Sequence, residues 1–86
     1  MNRWNIPIEV ERVVGERDIN CAYCRSSYSE TGGPYRGRPS WEHIINDLAL
    51  VTAENIVICC VGCNSSKGAR PIEVWLSSPY CAQRGI

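Results

Sequence analysis

Two Cys-x-x-Cys pairs, Cys21-Ala22-Tyr23-Cys24 and Cys60-Val61-Gly62-Cys63, constrain this chain more than any other feature. Two residues between thiols let both sulfurs point at one ion, and four thiolates suit tetrahedral zinc. Size explains why such a staple is needed. At 86 residues, a chain buries only about 60–65% of the surface it would expose unfolded. Metal or disulfide staples are expected below about 70–80 residues, close to this length. A single domain, 1–86, is the reading, and two independently folded ones are excluded. Thirty-five residues separate the pairs, against about 15–20 in a minimal zinc ribbon. The excess implies an insert, and it holds the only histidine, His43.

A disulfide framework is a rival, because six cysteines is an even number. The opening Met1-Asn2-Arg3-Trp4-Asn5 starts no apolar run of a signal peptide, so an oxidising compartment gains no support. Redox chemistry at either pair is a weaker rival. Cys59 and Cys60 alternate sides on a strand, so at most one of them faces the metal. Cys59 and Cys81 read as buried small apolar side chains.

Apolar residues at 44% and charged residues at 21% are ordinary for a globular chain and argue against disorder. No run approaches the roughly 20 apolar residues of a membrane span. A cytoplasmic protein with no membrane partner is expected. With three Trp and no Phe, Trp4, Trp41 and Trp75 are expected in the core, with Tyr23 packing around the cysteines. Nine basic residues balance nine acidic ones. That balance argues against tight non-specific binding of nucleic acid, whose affinity comes mostly from phosphate neutralisation. The charge is nevertheless segregated. Residues 31–40 carry Arg36 and Arg38 with no acid, and residues 64–72 carry Lys67 and Arg70 with none. Acids gather early, at Glu9, Glu11, Glu16 and Asp18.

The pattern predicts a helix over Pro7–Arg17, with Ile6, Val10, Val13 and Val14 on one apolar face. A polar loop follows the first cysteine pair. Ser40–Ile45 reads as a strand bounded by Pro39 and Asn46-Asp47, and Ile56–Cys59 as a second, β-branched one. Asn64–Lys67 continues the second cysteine pair as a short helix capped by Gly68. Pro71–Leu76 reads as a further helical turn or two, with Ile72 and Trp75 or Leu76 facing inward. The tail from Ser77 to Ile86 carries little signal.

Around His43 the neighbours matter. Glu42 precedes it on the strand, so the two side chains leave opposite faces wherever the strand is regular. Asn55 lies just before the second strand, and Asn64 directly follows Cys63. A metal at the cysteines would fix Asn64 rigidly at the start of a helix. The segment Asn55-Ile-Val-Ile-Cys-Cys-Val-Gly-Cys-Asn64-Ser-Ser-Lys67-Gly68, taken with Cys-x-Tyr-Cys and Glu-His-Ile-Ile, resembles the HNH endonucleases of the ββα-metal type. The resemblance runs from Asn20 to about Arg70.

It implies an α+β, zinc-stapled ββα-metal fold with an N-terminal helix and a short C-terminal helix. It implies a hydrolase that cuts the phosphodiester bonds of double-stranded DNA. His43 is then the general base on water, and Asn55 the brace that orients it. Glu42 and Asn64 bind one catalytic Mg²⁺ or Mn²⁺, while Cys21, Cys24, Cys60 and Cys63 hold one structural zinc. Where the family more often has Asp or His, this chain has Glu42, and Asp47 is the nearest substitute. Lys67, one turn from Asn64, is expected to touch the phosphate backbone or stabilise transition-state charge. Arg36, Arg38 and Arg70 are the other candidate phosphate contacts. One site per chain implies nicking, and a homodimer is needed only if both strands are cut. The alternative is a non-catalytic zinc-binding module that docks nucleic acid or protein.

Overall fold

A computed structural model describes residues 6–28, 33–47 and 49–86. Helix α1 (Ile8–Arg17) leads into the first cysteine pair. A 3-10 turn at Tyr35–Gly37 then feeds an antiparallel hairpin of β1 (Pro39–His43) and β2 (Ile56–Cys60). Three short helices follow: α2 (Val61–Lys67), α3 (Ile72–Leu76) and α4 (Pro79–Arg84). The result is a small mixed fold of helices and one two-stranded sheet built beside a cluster of four cysteines. No helix among the described residues is long and apolar enough to cross a membrane.

The sheet register runs from Pro39↔Cys60 to His43↔Ile56. Residues directly opposite share a face, so the hairpin presents two. Trp41, Ile56 and Ile58 join Ile6, Val10 and Val14 in one apolar cluster. Cys59 on the opposite face, and Cys60 at the very end of β2, join Cys21, Cys63, Trp75 and Cys81 in the other. Trp75 is fully buried, with its ring edge-on to Tyr23 and its indole N–H donated to Ser66 Oγ. Trp41 is half-buried, and Trp4 lies outside the described residues.

A two-stranded sheet leaves one edge of each strand open. Here the end of α1 closes the outer edge of β2. Arg17 donates to the carbonyls of Ala53 and Ile56, both at 2.8 Å, and Asp18 Oδ2 accepts from Ile58 N at 3.0 Å. Ala22 N and the Tyr28 hydroxyl both donate to Ile58 O. Burial alone would raise the Asp18 pKa, but the hydrogen bonds from Arg17 and Ile58 outweigh it and hold the carboxyl below its ordinary value.

Two expectations need correction, and two points the sequence left open are settled. Val13 is 42% exposed, so the buried face of α1 consists of Val10 and Val14 with Ile6 ahead of it. β1 stops at His43 instead of Ile45, because the Asn55 side chain captures both the N–H and the C=O of Ile45. Trp75 turns inward and Leu76 stays 46% exposed. The tail is a helix: Ser78 caps it through Cys81 N, Pro79 opens it, and Gly85 closes it in the left-handed region at φ 69°.

Candidate functional site

The cysteines come first, because they position the rest. The sulfurs of Cys21, Cys24, Cys60 and Cys63 all lie within 4.8 Å of one another, with Cys24 and Cys60 at 3.9 Å. Four sulfurs at about 2.3 Å from one tetrahedral ion stand about 3.8 Å apart. The donor set and its spacing therefore suit a metal ion such as zinc. Each pair is internally closed by a backbone N–H aimed at a sulfur, Cys24 N to Cys21 Sγ and Cys63 N to Cys60 Sγ, both 3.4 Å. Burial pushes the thiols of Cys60 and Cys63 up. Burial acts the same way on Cys24, but hydrogen bonds from Ser26 prevail and bring it down to about 7. A central cation would favour the thiolate at all four. Cys59 and Cys81 are fully buried but outside the group of four.

The sequence reading missed Tyr80. Its hydroxyl donates to Cys63 Sγ at 3.3 Å, so α4 completes the surroundings of the cysteines. Gly62 makes room for it. A Cβ there would meet Tyr80 Oη and Arg36 O, each at 3.3 Å. The signal was present in the capping residues Ser78-Pro79 and Gly85, which delimit a helix carrying Tyr80.

At the far end of the hairpin, α2 faces β1. Asn64 Nδ2 donates to Ser40 Oγ at 3.0 Å and to Trp41 O at 3.1 Å, tying the helix to the strand that carries Glu42. One turn later, Lys67 Nζ lies 3.6 Å from Glu42 Oε2 and 3.4 Å from His43 O. Lys67 is fully buried, so its ammonium is inside the fold and not on the surface where a phosphate contact was expected. Glu42 is 8% exposed, and its Oε2 accepts no hydrogen bond among the described residues. Burial raises the Glu42 pKa, and Lys67 opposes the rise.

His43 is the last residue of β1 and is 6% exposed. Pairing is regular through His43↔Ile56, so His43 and Glu42 leave opposite faces of the strand. Burial holds the His43 pKa below its ordinary value; Asp47 opposes this and Lys67 adds to it. Directly after it the chain bends, and Asn55 holds the bend. Asn55 Oδ1 accepts from Ile45 N at 2.8 Å, and its Nδ2 donates to the carbonyls of Ile45 and Leu50. Asn55 O also accepts from Ile44 N.

The candidate phosphate contacts do not form one patch. Arg36 and Arg38 flank the start of β1, near Cys60, while Arg70 follows α2. β1 separates Arg38 from His43 by about 13–17 Å of strand. Arg70 donates to the carbonyls of Ser66 and Lys67, so its guanidinium caps the C-terminus of α2. Asp47, the substitute for Glu42, is exposed and accepts from Ala49 N.

No family model, no curated protein and no solved structure matches this chain. The functional reading therefore rests on the residues themselves.

Proposed function

We propose that this chain is a zinc-stapled, divalent-metal-dependent DNA endonuclease of the HNH, ββα-metal type. The observation that carries the reading is the junction of β1 and α2. There Asn64 is hydrogen-bonded to the strand bearing Glu42, and Asn55 pins the bend that follows His43. Zinc at the four cysteines is structural, because it would tie the end of β2 at Cys60 and the first turn of α2 at Cys63 to the turn that carries Cys21 and Cys24.

Glu42 and Asn64 would hold a catalytic Mg²⁺ or Mn²⁺. The fit lies in the donor chemistry: a buried carboxylate oxygen without a hydrogen bond is an acceptor that a hard cation satisfies. Such an ion supplies charge stabilisation at the phosphoryl and leaving oxygens. The chain's own part is proton transfer and orientation. His43, as neutral imidazole, takes the proton from the attacking water. Asn55 keeps the backbone after His43 from moving, which fixes where the imidazole points. His43 stands at the strand end, where a phosphodiester can approach around both faces. The products are a 5′-phosphate and a 3′-hydroxyl, with one strand cut per site.

Supercoiled plasmid tests this. Wild type is expected to nick with Mg²⁺ or Mn²⁺, and His43→Ala to fall by at least about 100-fold. A folded, zinc-loaded wild type that cuts with neither ion would sink the reading. The Glu42–Lys67 pair and the zero formal net charge favour a second one, a non-catalytic module that docks nucleic acid or protein. In that case His43→Ala keeps the affinity of the wild type.

A further inference from the structure

Lys67 is the only lysine in the chain, and it is fully buried. A buried ammonium is destabilising unless it is well paired. Among the described residues its polar contacts are 3.6 Å to Glu42 Oε2 and 3.4 Å to His43 O. Both are long beside the roughly 2.7–2.9 Å of a charge-assisted hydrogen bond. Glu42 Oε2 is itself buried and accepts no hydrogen bond among the described residues. The pair leaves acceptor capacity unused at the most desolvated point of the junction.

The position of Lys67 adds a second observation. It is the last residue of α2, and Gly68, Ala69 and Arg70 after it are exposed. A flexible four-carbon stem at a helix end can turn outward without unwinding the helix.

We propose that Lys67 is the resident counter-cation of Glu42, and that a divalent ion gains Glu42 only by displacing the Lys67 ammonium to solvent. The inference rests on the reading above, that Glu42 binds such an ion. A divalent ion at the buried Oε2 would stand within a few ångströms of the ammonium already facing that oxygen, and like charges that close in the interior repel strongly. Lys67 thereby sets the metal affinity of the site. The same swing brings its charge to the surface beside Arg70, where a phosphate backbone is within reach. The metal-loaded protein then displays a cation that the metal-free protein hides.

The test uses zinc-loaded protein, Mn²⁺ as the probe and an amine-acylating reagent, with mass spectrometry to separate Lys67 from the α-amine. Lys67 is expected to resist acylation without Mn²⁺ and to react at least about tenfold faster when Mn²⁺ saturates. Lys67→Met is expected to bind Mn²⁺ at least about tenfold more tightly than wild type, a difference of about 1.4 kcal/mol. Glu42→Gln is expected to make Lys67 reactivity insensitive to Mn²⁺. Wild type that binds Mn²⁺ with Lys67 still protected overturns the inference and leaves the metal reading standing. So does a folded Lys67→Met with no gain in affinity. If neither wild type nor Lys67→Met binds Mn²⁺, the Glu42 metal site falls, and the inference with it. Should Lys67→Met fail to fold, acylation of the wild type decides alone.

Discussion

The two ends of the β1–β2 hairpin are built on opposite principles. At the cysteine end the sulfurs find partners: two accept backbone N–H groups and a third accepts the Tyr80 hydroxyl, although Tyr23 Oη and Arg38 Nε nearby are buried without a hydrogen bond among the described residues. At the Glu42 end, a carboxylate oxygen is buried without a hydrogen bond, and a fully buried lysine stands off at 3.6 Å. Native folds satisfy nearly all their buried polar groups, so a carboxylate and a lysine buried together without a close hydrogen bond need a reason. The contrast teaches where stability and function divide. The cysteine end is arranged to hold the fold. The Glu42 end is where the proposed divalent ion would bind.

The largest expected effect tests that division. A chelator that removes zinc, or Cys60→Ser, should unfold the chain, since structural zinc contributes on the order of 10 kcal/mol to small domains. Removing Mg²⁺ and Mn²⁺ from zinc-loaded protein should leave the fold intact. Far-ultraviolet circular dichroism against temperature reads both. If the apo protein melted within a few degrees of the zinc form, the cysteine end would not be the staple.

Asn55→Ala comes next. It removes three hydrogen bonds from a 6%-exposed side chain and leaves the N–H and C=O of Ile45 to find water. A loss of about 2–4 kcal/mol is expected by urea denaturation. With Co²⁺ in place of zinc, the thiolate charge-transfer bands should match those of wild type. A change in those bands would show that the two ends are coupled and that the contrast between them is too sharp.

How far these features were legible in the sequence depends on how local their causes are. The cysteine pairs were readable because two-residue spacing is a local geometric constraint. The opposite faces of Glu42 and His43 followed from the period of a strand. β2 was readable from its β-branched run, although it extends to Cys60. The end of β1 was not, because a residue ten positions away decides it by holding Ile45. The burial of Lys67 was hidden for the same reason. A lysine next to glycine looks solvated until α2 is laid against β1. The α4 helix differs: its caps, Ser78-Pro79 and Gly85, are local signals. Junctions between elements are what periodicity leaves out, and the candidate site is such a junction.

The smallest expected effect sharpens the contrast within the cysteine end itself. The second pair runs straight into α2, so Cys63 and Asn64 lie on a regular helix. The first pair has no helix to run into and must turn back. Arg25 makes that turn with φ 66°, its N–H donated to Cys21 O, and Ser26 O then accepts from Cys21 N, both at 3.0 Å. Arg25 is the one non-glycine with positive φ among the described residues. A side chain in the left-handed region costs about 1–2 kcal/mol, and glycine avoids most of that while losing more entropy on folding. Arg25→Gly is therefore expected to stabilise by about 0.5–1 kcal/mol, raising the melting temperature of a domain this size by about 2–8 °C. Arg25→Ala keeps the Cβ and should gain nothing. If glycine destabilises instead, the arginine charge beside the thiolates and Asp18 outweighs the backbone strain. The cysteine end would then carry a stabilising electrostatic contact of its own, made by a residue whose backbone is under strain.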